Sequence, residues 1–171
     1  WGVCPDQVEL AGTGAQPSAL LILEGADGTV VRGLAITGQA IGLGVIDAAE
    51  LSIEQVWVHD SQGTGVAVEE DTGVSSCSLK GSLIEKSRKI GVHLSSADAV
   101  VEATVVRDTL PTAQGAAGWG INIQPSANTG AIGTVVVKRS VVDRNHEVGV
   151  FVWGSEARVD DTVVRGRLPE V

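Results

Sequence analysis

The chain is built from short apolar blocks that alternate with period two. Val31, Ile53, Leu79, Val101, Val137 and Val159 open such blocks, and Ile36, Val58, Ile84, Val106, Val142 and Val164 follow five positions after each opener. A third block carries a Gly-apolar-x-apolar tetrad: Gly65-Val66-Ala67-Val68, Gly91-Val92-His93-Leu94, Gly120-Ile121-Asn122-Ile123 and Gly149-Val150-Phe151-Val152, with Leu43-Gly44-Val45 as a looser copy. Eight positions after the openers stands a polar ladder of Gln39, Ser61, Ser87, Thr109 and Asn145. The openers are 22, 26, 22, 36 and 22 residues apart, a 22-residue unit with insertions, which is the period of a solenoid. The units are rich in Val and Ile, and no i, i+3, i+4 stripe runs through them, so each reads as three short strands separated by turns. Ser, Thr, Asn and Gly fall at fixed offsets, where tight turns need them. Coils stacked about 4.8 Å apart bury an apolar interior that no single coil could bury alone. The expectation is one all-β domain over 1–171, with 1–19 as an N-terminal coil or cap segment, 20–164 as repeats and 165–171 as an incomplete last coil.

Composition sharpens this picture. The chain has 171 residues, 22 Gly, no Met, no Tyr, one Phe and a net charge of −9. That much glycine would cost about 1 kcal/mol per residue in helix interiors, so it belongs to turns. The acidic balance argues against nucleic acid, whose phosphates call for a basic stripe. No apolar run reaches the roughly 18 residues of a membrane-spanning helix, and no basic-then-apolar leader opens the chain.

The pattern apolar-x-x-polar-x-apolar-x-x-Ser/Asn-x-x-x-Gly-apolar-x-apolar is clearest from Val137 through Asn145 and Gly149 to Val152. It resembles the right-handed parallel β-helix repeat of the pectin-lyase-like superfamily, over about residues 20–164. The resemblance implies a right-handed parallel β-helix of six or seven coils. It implies less about activity, because the superfamily holds pectate lyases, polygalacturonases, uronate epimerases, phage tailspikes and surface proteins without known catalysis. Of the polygalacturonase motifs only Asp160-Asp161 is present, without Gly-His-Gly or Arg-x-Lys. Val56-Trp57-Val58-His59-Asp60 is similar to the pectate-lyase Trp-Ile-Asp-His motif only with His and Asp exchanged, which turns each side chain to the opposite face.

Within the tetrad strands the apolar positions point inward and the intervening ones outward. One outward column reads Ile22, Gly44, Ala67, His93, Asn122, Phe151, and the next reads Glu24, Ile46, Glu69, Ser95, Gln124, Trp153. His93, Ser95, Asn122, Gln124, Phe151 and Trp153 thus form a candidate ligand face. Amides and hydroxyls beside an exposed indole suit a sugar, whose C–H face stacks on the ring while its hydroxyls bond the amides. The alternative is ordinary polar surface. Insertions at 110–119 and 125–133 belong to one coil and flank the strand 120–124, either as walls for that face or as tolerated loop length. A second column, Ala35, Trp57, Leu83, Val105, Val141 and Val163, reads either as an apolar ribbon for self-association or parent-chain packing, or as a partly buried, broader turn.

Other chemistry is thin. Glu69, Glu70 and Asp71 cluster at one turn, where they form a weak calcium candidate or a solvated acidic turn. They lack the opposing acid that glycoside hydrolysis would need. His59, His93 and His146 sit at unrelated offsets, so no metal triad is expected. Cys77 shares its offset with Leu51, Ala99, Val135 and Ala157 and reads as a small buried hydrophobe. Cys4 lies too many coils away to bridge it and is expected to have its partner elsewhere, which would place the parent protein outside the cell. The missing initiator Met and a last repeat that stops before its tetrad point to a piece of a longer protein. Two functions follow. One is an exported or cell-surface module, without catalytic residues or cofactor, that contacts polysaccharide or serves structurally. The other is a polysaccharide lyase, hydrolase or uronate epimerase.

Overall fold

A computed structural model describes residues 8–13, 18–38 and 40–167. Each coil contributes three strands. β1 (Glu9–Ala11), β2 (Ser18–Ile22) and β3 (Val30–Arg32) form the first, and β4 (Ala35–Thr37), β5 (Ile41–Ile46) and β6 (Leu51–Glu54) the second. β7 (Trp57–His59), β8 (Thr64–Glu69) and β9 (Ser75–Lys80) form the third, and β10 (Leu83–Glu85), β11 (Ile90–Ser95) and β12 (Ala97–Glu102) the fourth. β13 (Val105–Arg107), β14 (Trp119–Gln124) and β15 (Thr134–Lys138) form the fifth. β16 (Val141–Asn145), β17 (Val150–Val152) and β18 (Glu156–Asp160) form the sixth, and β19 (Val163–Arg167) begins a seventh. Every third strand pairs, always in parallel. The result is a seven-stranded first sheet (β1 to β19) and six-stranded second (β2 to β17) and third (β3 to β18) sheets. The described residues contain no helix long and apolar enough to cross a membrane.

The openers stack as the repeat predicts: Val31, Ile53, Leu79, Val101, Val137 and Val159 lie in one register column of the third sheet. Ile36 to Val164 form the corresponding column of the first sheet. Core members such as Ile53, Val58, Ile84, Val101, Val106 and Val137 are fully buried. Val159 and Val164 hold the same positions but are exposed, because among the described residues no further coil covers them. Cys77 is buried in register with Leu51 and Ala99, as expected, and burial pushes its thiol up to about 12. Cys4 and Gln39 lie outside the described residues.

The first coil corrects the predicted frame. Leu21, not Ile22, pairs with Gly44, and Ile22 pairs with Val45. Ile22 therefore points into the core at 5% exposure and Leu21 takes the outward position expected of it, with Leu23 exposed as well as Glu24. A one-residue offset exchanges the two faces of a strand.

The tetrad glycines also depart from expectation. Gly65 and Gly91 do not have the positive φ of a turn glycine. A Cβ on Gly65 would lie 2.6 Å from the Gly91 carbonyl oxygen, 2.6 Å from Ser87 Oγ and 2.8 Å from Ile84 Cγ2. Close approach of the next coil's backbone therefore excludes a side chain there. The turns instead use a column of left-handed residues, Gly33, Gln55, Gly81, Ala103, Arg139 and Asp161, with φ between 44° and 68°. One residue further along, Ser82, Thr104, Ser140 and Thr162 form a hydroxyl ladder. Each accepts a main-chain N–H from the coil below (3.2–3.4 Å) and donates to a carbonyl two residues earlier in its own coil (2.8–2.9 Å).

Charges alternate up the outer face. In the third sheet, Arg32, Glu54, Lys80, Glu102, Lys138 and Asp160 are successive register partners. Arg32 and Glu54 meet at 2.7 Å, and Glu102 lies 4.0 Å from Lys80 and 3.6 Å from Lys138. The first sheet repeats the scheme with Glu85, Arg107, Asp143 and Arg165. There Arg107 donates to Glu85 through Nε (2.7 Å) and lies 2.6 Å from it through Nη2. The apolar column on this sheet is largely covered. Ala35 is fully buried, Trp57, Leu83, Val105 and Val141 are half-buried, and Val163 is exposed. Trp57 stacks on His59 at 4.0 Å and donates from Nε1 to Glu85 (3.0 Å), which holds its ring against the sheet.

Candidate functional site

On the second sheet, β8, β11, β14 and β17 carry outward residues on four successive coils. Ala67, His93, Asn122 and Phe151 form one register column, and Glu69, Ser95 and Gln124 form the next. Trp153 extends this second column beyond Gln124 and is 62% exposed, and its N–H donates to the Ile123 carbonyl at 3.0 Å. Both frames from His93 onward match the sequence reading.

Asn122 sits at the centre, 1% exposed. Its Nδ2 donates to His93 Nδ1 (2.9 Å) and to Gln124 Oε1 (3.1 Å), and its Oδ1 has no partner. The amide makes Nδ1 of His93 an acceptor, so the imidazole proton sits on Nε2, 3.7 Å from Glu69 Oε1. Burial, helped by the charge of Lys89, pushes His93 down to about 4 and keeps it neutral. Burial also raises Glu69, opposed by Lys89. Phe151 stacks on Trp119, with centroids 4.9 Å apart and planes 15° off parallel, and Trp119 Nε1 donates to Glu147 (3.1 Å). Two stacked rings and a third exposed one thus adjoin a buried amide and a neutral imidazole.

Ser95 takes a different place from the one expected. It is 6% exposed and its Oγ donates to the Pro125 carbonyl (3.2 Å), so it anchors the loop after β14 instead of meeting solvent. That loop, residues 125–133, reaches across two coils. Asn128 Nδ2 donates to Asp71 (2.5 Å), Thr129 Oγ1 to the Glu70 carboxylate (3.4 Å) and Ser126 Oγ to the Glu70 carbonyl (3.3 Å). Ser96 also donates to the Glu70 carboxylate. Glu69, Glu70 and Asp71 are thereby parted, with Glu69 towards His93 and the other two pinning the loop. Among the described residues no three His, Cys, Asp or Glu gather as a metal site. The other insertion clasps Lys89: Lys89 N–H donates to the Leu110 carbonyl (2.9 Å), and Gly118 and Trp119 N–H donate to the Lys89 carbonyl (2.9 and 3.0 Å).

Sequence reasoning located Glu69 in its column but missed Trp119 and Glu147 as members of this face, and Lys89 in the turn beside it. For Trp119 a signal existed, since it precedes the tetrad glycine in a column otherwise held by Ile41, Thr64 and Ile90. No curated protein and no solved structure matches the chain significantly. A family model described as the right-handed β-helix region matches residues 18–165. With three parallel sheets stacked coil on coil across that span, the chain belongs to the right-handed β-helix family.

Proposed function

We propose that this β-helix is a non-catalytic module that contacts carbohydrate through the second sheet, outside the cell or at its surface. The supporting observation is the aromatic patch of Trp119, Phe151 and Trp153 beside Gln124 and His93, set on rigid strands and bordered by the two insertions. A pyranose ring would lay its C–H face on the aromatic surface and offer hydroxyls to the Gln124 amide and the His93 Nε2–H. Asn122 fixes both of these partners, so they are orientated before a ligand arrives. Ser95 contributes indirectly by holding the loop that borders the patch.

A glycan array with wild-type protein and Trp153→Ala tests this. Trp153 is exposed, so its removal leaves the core intact, and binding should weaken at least tenfold, or about 1.4 kcal/mol. Unchanged binding by the variant would remove the site. Incubation with uronate and neutral glycans, with and without calcium, separates this reading from an enzyme, because new reducing ends or unsaturated products would end the non-catalytic assignment.

A further inference from the structure

Eight of the described Lys and Arg residues lie within 4.0 Å of a carboxylate. Among the Lys and Arg residues whose side chains are described, those without such a neighbour are Lys86, Arg88 and Lys89, three of four consecutive residues in a chain of net charge −9. Arg88 and Lys89 are exposed and line an open groove of about 570 Å³, together with Gln62, Gly63, Thr112 and Gln114. The groove exists because the insertion 110–119 stands beside the turn that carries them. Arg88 makes one long side-chain hydrogen bond, from Nη1 to the Pro111 carbonyl (3.5 Å), which leaves most of its donors free. Lys89 is held at φ 75°, a backbone conformation costly for a side-chain-bearing residue, by the three main-chain bonds to the insertion. Two amides, one hydroxyl and two cations with no carboxylate within 4.0 Å make a lining suited to oxyanions, and a guanidinium can bind such groups with two parallel bonds. The groove adjoins the saccharide face, since the Lys89 carbonyl accepts the N–H of Trp119 (3.0 Å), whose ring stacks on Phe151.

We propose that the groove at Arg88 and Lys89 is an anion subsite of the saccharide face, taking a sulfate, phosphate or carboxylate carried on the glycan. This rests on the carbohydrate reading above and narrows it from sugars in general to acidic ones. An anionic group seated here leaves the attached ring free to run along the second sheet towards Trp119 and Trp153. A neutral glycan gains nothing from the groove.

Two titrations test the proposal. Isotope-labelled protein is titrated with sodium sulfate against sodium chloride at matched ionic strength, and backbone amide shifts are followed by NMR. Saturable shifts confined to Gln62, Gly63, Lys89, Thr112 and Gln114 are expected, at least tenfold weaker in the Arg88→Gln/Lys89→Gln double variant and unchanged in Lys86→Gln, which lies outside the groove. Shifts scattered over distant cations such as Arg32 and Arg158, or surviving in the double variant, overturn the subsite. Neutral, carboxylated and sulfated oligosaccharides of one length are then compared. The double variant should lose at least tenfold more affinity for the charged ones than for the neutral one, whereas Trp153→Ala should weaken all three. The larger of the two charged losses identifies the preferred oxyanion. Binding through Trp153 with no advantage for charge sinks the subsite and leaves the saccharide face standing. Sulfate binding in the groove without any oligosaccharide binding sinks the saccharide face.

Discussion

Replacing Gly65 by Ala inserts one methyl group where the stack has no room for it. The new Cβ would stand 2.6 Å from the Gly91 carbonyl oxygen, 2.6 Å from Ser87 Oγ and 2.8 Å from Ile84 Cγ2. Ordinary contacts begin about 0.8 Å further out. Overpacking of this kind costs about 1–3 kcal/mol, and the upper end applies because the nearest atom is backbone of the neighbouring coil and cannot rotate away. For a chain of this length that corresponds to a fall of about 6–12 °C in Tm. Urea and thermal unfolding measure both quantities. The double variant Gly65→Ala/Ser87→Ala removes the hydroxyl clash but not the carbonyl clash, so it should recover less than half of the loss. Gly25 supplies the contrast, with φ +85° and nothing within 4 Å of its would-be Cβ. Gly25→Ala should cost about 1 kcal/mol through backbone strain alone, and Gly25→Asn less, because Asn tolerates that region. If Gly65→Ala unfolds within about 0.5 kcal/mol of wild type, or is stabilised as chain entropy alone would have it, the close-approach account is wrong.

Two further perturbations have definite signs. His93 titrates near 6.5 when unfolded and near 4 when folded, so between these values the unfolded chain binds more protons and stability falls as pH drops through the window. The loss should total about 3 kcal/mol and be absent from His93→Gln. Glu69, Lys89 and Asn122 face the imidazole, and relief at the raised Glu69 opposes the loss, so the wild-type minus variant difference is the quantity to read. A difference that stays flat from pH 7 to 4.5 would sink the assignment. Ser82→Ala leaves the buried Val56 N–H without its acceptor, which should cost about 1–3 kcal/mol and speed hydrogen exchange at that amide. An unchanged unfolding midpoint would mean that the hydroxyl ladder contributes nothing.

The coil architecture could be read from the sequence because stacking repeats the same requirement at the same offset. Val31, Ile53, Leu79, Val101, Val137 and Val159 share one column, so one alignment explains all six. Where the repeat weakens, the reading slips. The first coil has Ala19 in place of the tetrad glycine, and without that marker the pattern sets Ile22 one residue out of frame. The glycines themselves were legible as a pattern but not as a cause, since crowding by the next coil's carbonyl is a distance and leaves no local sequence signal. The candidate face divides in the same way. Strand alternation locates His93, Asn122 and Gln124, but the burial of Ser95 depends on how the 125–133 loop folds back across two coils. Insertions are irregular by nature, and periodicity carries no information about where they land. The same holds for Lys89, whose significance comes from the loop beside it.

The charges on the third sheet act as a parity code. Reading Arg32, Glu54, Lys80, Glu102, Lys138 and Asp160 in order, each coil differs in sign from its neighbour and matches the coil two away. Skipping one coil would set Glu54 against Glu102 or Lys80 against Lys138, while skipping two restores the alternation. The apolar columns cannot make this distinction, because Val or Ile recurs in almost every coil. The hydrophobic interior thus permits any coil to sit on any other, and the outer charges penalise an odd miscount. Along this face, coils can be gained or lost without electrostatic penalty only in pairs.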